Sequence, residues 1–286
     1  MGVNILSIKR IFRKYKITFF LLSQLRRVFY FLIPIVYFNV NKFLRLTGLY
    51  KNSPYEKLKF LKNTHKGERC FIVATGPSLT IEDLEKLKDE ITFSMNSICL
   101  AFNETEWRPT YYGIQDPDVY TKLKEHIDLL EVECKFIGSY ISKKAKMTEN
   151  TYVFPLNLLD HNVTHSNYHS KFSDNAFAVV YSGYSITYSL IQIAVYMGFE
   201  EIYLLGADCN YSKDSKHHFK EYGHTDPHFR EAHDQMIAAY KVAKRYTETH
   251  NVKIYNATRG GMLEVFERVN LDNVLSEGKT VKAASE

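Results

Sequence analysis

Cysteine is scarce, and its four copies, Cys70, Cys99, Cys134 and Cys209, stand far apart without a C-x-x-C pair. That spacing argues against a compact zinc site and against a disulfide framework, so a reducing cytoplasm suits the chain best. Long apolar runs are lacking too. The stretch from Val28 to Phe38 carries no charge, but it is too short to cross a bilayer as a helix, contains Pro34, and is blocked behind by Arg26 and Arg27. The residues after it, among them Asn39, Asn41 and Lys42, offer no small-residue cleavage site, which excludes a secretory signal. Met1-Gly2 is followed by no Ser or Thr at position 6, which excludes the myristoylation pattern.

Acidic residues are missing from one end. Residues 1–62 hold 13 Lys or Arg and a single acid, Glu56, whereas the remainder holds 24 basic and 31 acidic residues. Such a basic stretch could meet nucleic acid or anionic lipid. Here the charges interleave with Phe19-Phe20-Leu21-Leu22 and with the run to Phe38, an apolar payload that favours lipid. No aromatic-rich recognition motif accompanies them, so no nucleic-acid partner is expected. The expectation is that residues 1–63 form a basic amphipathic helical segment lying on an anionic membrane surface, peripheral, at its cytoplasmic face. The plainer alternative is a helical pair packed on the body of the protein or on a partner subunit.

What is present from residue 64 onward reads as one nucleotide-binding α/β catalytic domain, residues 64–286. The whole chain has 286 residues, 45% hydrophobic and 24% charged, which allows one large domain plus an appendage. Cys70 to Ala74 reads as a buried strand, Ile81 to Lys88 as a helix, and Ile91 to Met95 and Tyr111 to Ile114 as further strands. Lys135 to Ile137 and Tyr152 to Phe154 are weaker strands, and residues 157–177, rich in His, Asn and Ser, read as a loop. Ser185 to Met197 has helical spacing with Gly198 to close it, and Glu201 to Gly206 is a strand that leads to Asp208. A long helix over about 229–250 precedes a final strand, Val252 to Tyr255. The helix-then-strand rhythm predicts an open, mainly parallel sheet. Such sheets bind ligands at the carboxyl ends of their strands, which places Thr75 to Ser78, Asn96, Asp116, Asp208 and Asn256 on one rim.

The turn Gly76-Pro77-Ser78 is the strongest candidate for chemistry. A glycine lets a phosphate approach the backbone, and a helix start supplies unpaired N–H groups and a positive dipole end. The turn is neither a Walker A nor a G-x-G-x-x-G motif, and a tight turn with a Ser or Thr cap explains it equally. Asp116-Pro117-Asp118 has the D-x-D shape that can hold a divalent metal against a diphosphate, though two aspartates around a proline are a common turn. His217, His218, His224 and His228 match no compact zinc spacing. A single histidine acting as base is the simpler proposal, because its pKa lies near working pH.

Phe71 to Leu79, with the run Ala74-Thr75-Gly76-Pro77-Ser78-Leu79, and then Phe93-Ser94-Met95-Asn96, resemble the opening of bacterial family 42 sialyltransferases, whose G-N-G-P-S-L turn binds CMP. The resemblance resumes at Tyr181-Ser182-Gly183 and reaches Gly198-Phe199-Glu200-Glu201-Ile202-Tyr203-Leu204-Leu205-Gly206-Ala207-Asp208, similar to that family's G-[YF]-x-E-I-Y-L-x-G-x-D segment. His218-Phe219 falls where the family places S-H-Y, which contains its base. Thr75 stands where the sialyltransferases have Asn, and Asp116-Pro117 replaces Asn-Pro. The same segments, with Ile254-Tyr255-Asn256-Ala257-Thr258-Arg259-Gly260-Gly261, look closer still to the broad family related to 6-hydroxymethylpterin diphosphokinase, the MptE-like domains.

These resemblances imply a Rossmann-like, sialyltransferase-type fold and an inverting glycosyltransferase that uses a CMP-activated sugar such as a sialic acid. They imply an acceptor on a cell-surface or lipid-linked glycan, with no cofactor required. By that reading His218 takes a proton from the acceptor hydroxyl, and Tyr211 and Tyr222 donate hydrogen bonds to the departing phosphate. Thr75, Gly76, Pro77, Ser78, Asn96, Asp116, Asp208 and Asn256 hold the donor, and Ser182 and Gly183 line its pocket. The rival is a diphosphokinase-like phosphotransferase with Mg²⁺ at Asp116 and Asp118, or at Asp208. A third reading is a non-catalytic glycan-assembly protein, and a homo-oligomer is compatible with each.

Overall fold

The computed structural model describes residues 16–27, 29, 32–158, 170–210, 218–223 and 229–277. The chain divides into two compact units, Met1–Ser53 and Pro54–Glu286. In the first, helix α1 spans Lys16–Arg27 and helix α2 spans Ile33–Leu46. Pro34 lies in the first turn of α2, where a missing N–H removes no helix bond, so it starts this helix and does not break one. No described helix is long and apolar enough to cross a membrane.

The second unit is an α/β body. Its main strands are β1 (Arg69–Val73), β2 (Thr92–Met95), β3 (Tyr111–Ile114), β4 (Cys134–Gly138) and β5 (Thr151–Phe154). After the short β6 (Leu156–Asn157) and β7 (Val180–Tyr181) come β8 (Glu201–Leu205), β9 (Lys253–Asn256) and β10 (Glu267–Arg268). Helices α3 (Ile81–Lys86), α4 (Pro117–Leu129), α5 (Ile186–Met197) and α6 (Phe229–Thr247) connect them. Eight strands form one sheet in the order β10-β9-β8-β1-β2-β3-β4-β5, and every pairing in it is parallel.

Parallel strands need crossovers, and crossovers cover both faces of a sheet. Side chains alternate along β1 accordingly. Cys70 and Ile72 enter the core on the face covered by α5 and α6, whereas Phe71 and Val73 enter the core under α3 and α4. Helix α5 is buried along nearly its whole length and packs against β1, β2 and β3. Ser185 caps its start by accepting the Thr187 N–H, and Gly198 ends it in the left-handed region at φ 95°. The chain runs from β1 outward to β5 and returns through α5 to β8 on the other side of β1. A crevice therefore opens between β1 and β8 at their carboxyl ends, the topological switch point of such sheets.

The strands expected at residues 135–137 and 152–154 are members of the sheet. Two expectations need correction. Part of residues 157–177, with its flank, is not plain loop: β6 pairs in parallel with β7, and residues 159–169 lie outside the described residues. The strand at Lys253–Asn256 is not final, since β10 follows and pairs with it.

Candidate functional site

At the carboxyl ends of β1 and β8 the two strands are laced together. The Ala74 N–H donates to the Leu205 carbonyl at 2.8 Å and the Gly76 N–H to the Gly206 carbonyl at 2.9 Å. At residue 76 any Cβ would stand 2.1 Å from Asp208 Oδ2 and 2.4 Å from the Gly206 carbonyl oxygen, so glycine is required by space alone. Asp208, 8% exposed, accepts the Ser78 hydroxyl at 2.8 Å and the Ser78 N–H at 3.4 Å, both on Oδ2. Burial pushes its carboxyl above the ordinary aspartate value, and the Ser78 hydrogen bonds only partly oppose this.

The turn's own donors are already engaged. Besides Gly76 and Ser78, the Leu79 N–H donates to the Gly76 carbonyl and the Thr80 N–H to Asp83 Oδ2. Pro77 has none. Thr80 and Asp83 form a reciprocal capping box at the start of α3. The helix start that opens on the crevice is instead that of α5. Ser185, Ile186 and Thr187 line a hollow together with Thr75, Gly76, Pro77, Asn96, Asp208 and His218. The hollow encloses about 90 Å³, below the usual range of small-molecule sites, so a ligand held there would extend into its open mouth. Met95, Met236 and Tyr240 give it an apolar side.

Two residues on its rim hold strained backbone. Asn96 and Cys209 have φ of 48° and 51°, in the left-handed region that side chains other than glycine rarely enter. Each is clamped through its carbonyl: the Tyr112 hydroxyl donates to Asn96 O at 2.8 Å, and His233 Nδ1 donates to Cys209 O at 2.7 Å. The Met262 N–H donates to Asp208 O at 2.7 Å. The segment after β8 is thus held by α6 and by the loop after β9.

His218 stands half-buried on the hollow. The next residue fixes it there, because the Phe219 N–H donates to the Thr75 carbonyl at 2.8 Å. Its ring meets that of Tyr222 at a centroid distance of 5.0 Å. Burial and the nearby Asp116 charge push the Tyr222 hydroxyl up. Tyr222 packs against the core under α3 and α4 and is not among the residues lining the hollow.

The remaining candidates sit elsewhere. Asp116 is exposed and caps α4, its Oδ1 accepting the Asp118 N–H at 2.7 Å and the Val119 N–H at 3.0 Å. Asn256 is fully buried, donating to Leu263 O at 2.7 Å and accepting the Thr258 N–H at 3.0 Å, so its side chain braces the loop after β9. Ser182 is fully buried, and Gly183 is needed by packing, since a Cβ there would meet the Tyr188 ring at 2.1 Å. Tyr211, His217, His224 and His228 lie outside the described residues. Among the described residues no three His, Cys, Asp or Glu side chains gather as a metal site would require. The sequence reading overlooked Ser185 to Thr187 as site residues. A serine cap opening an apolar helix was visible there, but its neighbour across space was not.

A family model, 6-hydroxymethylpterin diphosphokinase MptE-like, matches residues 45–214. Among solved structures the MAf glycosyltransferase from Magnetospirillum magneticum AMB-1 is similar at 15% identity and a TM-score of 0.48. The likeness covers 84% of this chain and 43% of that one, so the chain spans less than half of its length. No curated protein matches.

Proposed function

The chain belongs to the 6-hydroxymethylpterin diphosphokinase MptE-like family, and we propose that it is an inverting glycosyltransferase whose donor is a nucleotide-activated sugar. The donor we infer is a CMP-linked acid sugar such as a sialic acid, and the acceptor a cell-surface or lipid-linked glycan. The observation that carries this reading is the pairing of one helix start with one histidine across a single hollow. Of the three amides there, Ser185 N–H donates to Ser182 O and Thr187 N–H to Ser185 Oγ, so the Ile186 N–H and the positive end of the α5 dipole are what would meet one phosphate group. Among the described residues that line the hollow none is Lys or Arg, while Asp208 contributes a carboxylate. That balance favours a ligand with a single phosphate over a triphosphate.

In this mechanism neutral His218 accepts the proton of the acceptor hydroxyl as the oxygen attacks the sugar. The negative charge that grows on the departing CMP phosphate is met by the α5 dipole, fixed before the reaction begins. The Tyr222 ring packs against that of His218, tilted by 57°, and limits its rotation. Asp208 and Asn96 are suited to ribose or sugar hydroxyls, and Gly76-Pro77 forms the wall against which the nucleotide lies, with Ser78 behind it on Asp208. The MAf protein's printed name points to the same reaction class. The family's printed name supports the rival, a Mg²⁺-dependent diphosphokinase. There the cation would fall to Asp118 and the free oxygen of Asp116, whose Oδ1 already caps α4.

Thermal unfolding of the full chain with CMP, CDP, UDP and ATP, each with and without Mg²⁺, separates the readings. CMP at about a hundredfold excess over its Kd is expected to add about 2.7 kcal/mol without metal. His218→Ala is expected to keep that stabilisation and lose transfer. Stabilisation by ATP with Mg²⁺ alone would overturn the glycosyltransferase reading, and CMP binding with no transfer by the wild type would leave a non-catalytic assembly protein.

A further inference from the structure

The segment before residue 54 carries a surface that the nucleotide site does not use. Twenty large hydrophobic residues are exposed among the described residues, and fifteen of them lie between Phe20 and Tyr50. So dense a band is far from the scattered apolar exposure of an ordinary soluble surface. On α2 it consists of Ile33, Val36, Tyr37, Val40, Phe43 and Leu46, from 49% to 72% exposed. Counted at 100° per residue, these positions and Ile35 sweep roughly 200° of the helix, about twice the stripe a core-facing helix needs. The opposite side holds Pro34, Phe38, Asn41, Lys42 and Arg45, all half-buried or buried.

Polar groups on α2 are arranged so that an apolar medium would strand few of them. Asn39 Nδ2 donates to Ile35 O and Asn41 Nδ2 to Tyr37 O, both at 2.8 Å, and the Thr47 hydroxyl donates to Phe43 O at 2.9 Å. Each of these side chains turns a donor back onto its own helix. The charge is of one sign: ten Lys or Arg and no acid precede Glu56. A second copy of the chain docking on this face would bring like charges together, whereas an anionic surface would be attracted. At 1.5 Å per residue the 14 residues of α2 cover about 21 Å, short of the hydrocarbon thickness of about 30 Å.

We propose that residues 32–50 form an interfacial docking surface for an anionic lipid bilayer, with α2 lying in the membrane plane and its apolar arc immersed. The surface binds the bilayer through burial of Ile33, Val36, Tyr37 and Val40, and the basic residues around it select anionic headgroups.

The test is co-sedimentation of the full chain with vesicles of phosphatidylcholine alone and of an equimolar mixture with phosphatidylglycerol, at low and raised salt. The expected result is binding to the mixed vesicles, weakened by salt, and much less binding to phosphatidylcholine alone. Val36→Glu combined with Val40→Glu is expected to lower partitioning about tenfold or more, with circular dichroism and nucleotide-induced stabilisation unchanged. Lys42→Gln with Lys51→Gln is expected to lower it about fivefold per charge removed. The proposal is overturned if the wild type ignores mixed vesicles, or if the double glutamate variant binds them equally well. It is also overturned if the wild type elutes as an oligomer without lipid and the glutamate variant as a monomer, which would give the face to a second copy.

Discussion

Asp83 and Asp208 flank the same turn, 1% and 8% exposed, and their surroundings treat them in opposite ways. Asp83 receives Arg259 on both oxygens, at 2.7 and 2.5 Å, and the Thr80 N–H and hydroxyl at 2.9 and 2.8 Å. Burial alone would raise its pKa, but these hydrogen bonds and the guanidinium charge outweigh that and hold it below the ordinary aspartate value. Asp208 has Ser78 as its side-chain partner, and burial wins. The first carboxylate belongs to the architecture, clamping α3 to the loop after β9. The second is a buried charge only partly compensated, at the rim of a hollow, the condition in which functional carboxylates are found.

The comparison can be broken most severely at the turn between them. Gly76→Ala drives a methyl group into Asp208 Oδ2 and the Gly206 carbonyl oxygen. The side chain can swing away but the backbone oxygen cannot, so a loss of about 3 kcal/mol is expected, the upper part of the overpacking range. Chemical denaturation would check it. Arg259→Ala strips Asp83 of its cation while leaving Thr80 in place. The arginine side chain is 55% exposed, so solvent screens part of the pair, and a loss of about 2 kcal/mol is expected.

The smallest expected effect has the opposite sign. Asp208→Asn keeps an oxygen to accept the Ser78 hydroxyl and removes the buried charge, so stability should rise by up to about 1 kcal/mol while nucleotide-induced stabilisation falls. The two aspartates also predict opposite pH behaviour. Asp83 is depressed in the folded state, so its contribution is present above the ordinary aspartate pKa and is lost as pH falls through the lower folded value. Asp208 is raised, so the folded state holds its proton longer, and stability falls as pH rises from the ordinary value through the raised one. The gain from Asp208→Asn should therefore grow across that same interval and vanish below it. A constant gain at every pH would mean that Asp208 does not carry the buried charge assigned to it.

Much of this arrangement was legible in one dimension. The apolar runs of β1 and β8 have nothing polar to expose, so they could be read as buried strands without knowing their neighbours. Ser185 before an apolar helix and Gly198 after it marked both ends of α5. The pairs β6 with β7 and β9 with β10 were not legible, because strands of two residues carry no periodicity. The carboxyl ends of the strands could be placed along one rim, but topology alone does not say which way a side chain points. Asn256 stands at the end of β9 as expected, and its amide faces inward to brace residues 258 and 263.

By itself the sequence determined the local terms: the helix caps, the alternation along buried strands, the parallel α/β order, and the segregation of basic and apolar residues before Glu56. Each depends on residues a few positions apart, where spacing and chemistry act directly. Only the tertiary structure decided which polar groups share an environment. Ser78 meets Asp208 across 130 positions and Asp83 meets Arg259 across 176. The α5 start faces Gly76 because the sheet reverses its strand order there. Such meetings follow from how whole layers pack, and the cost or relief of burying a charge exists only once the layers have closed around it.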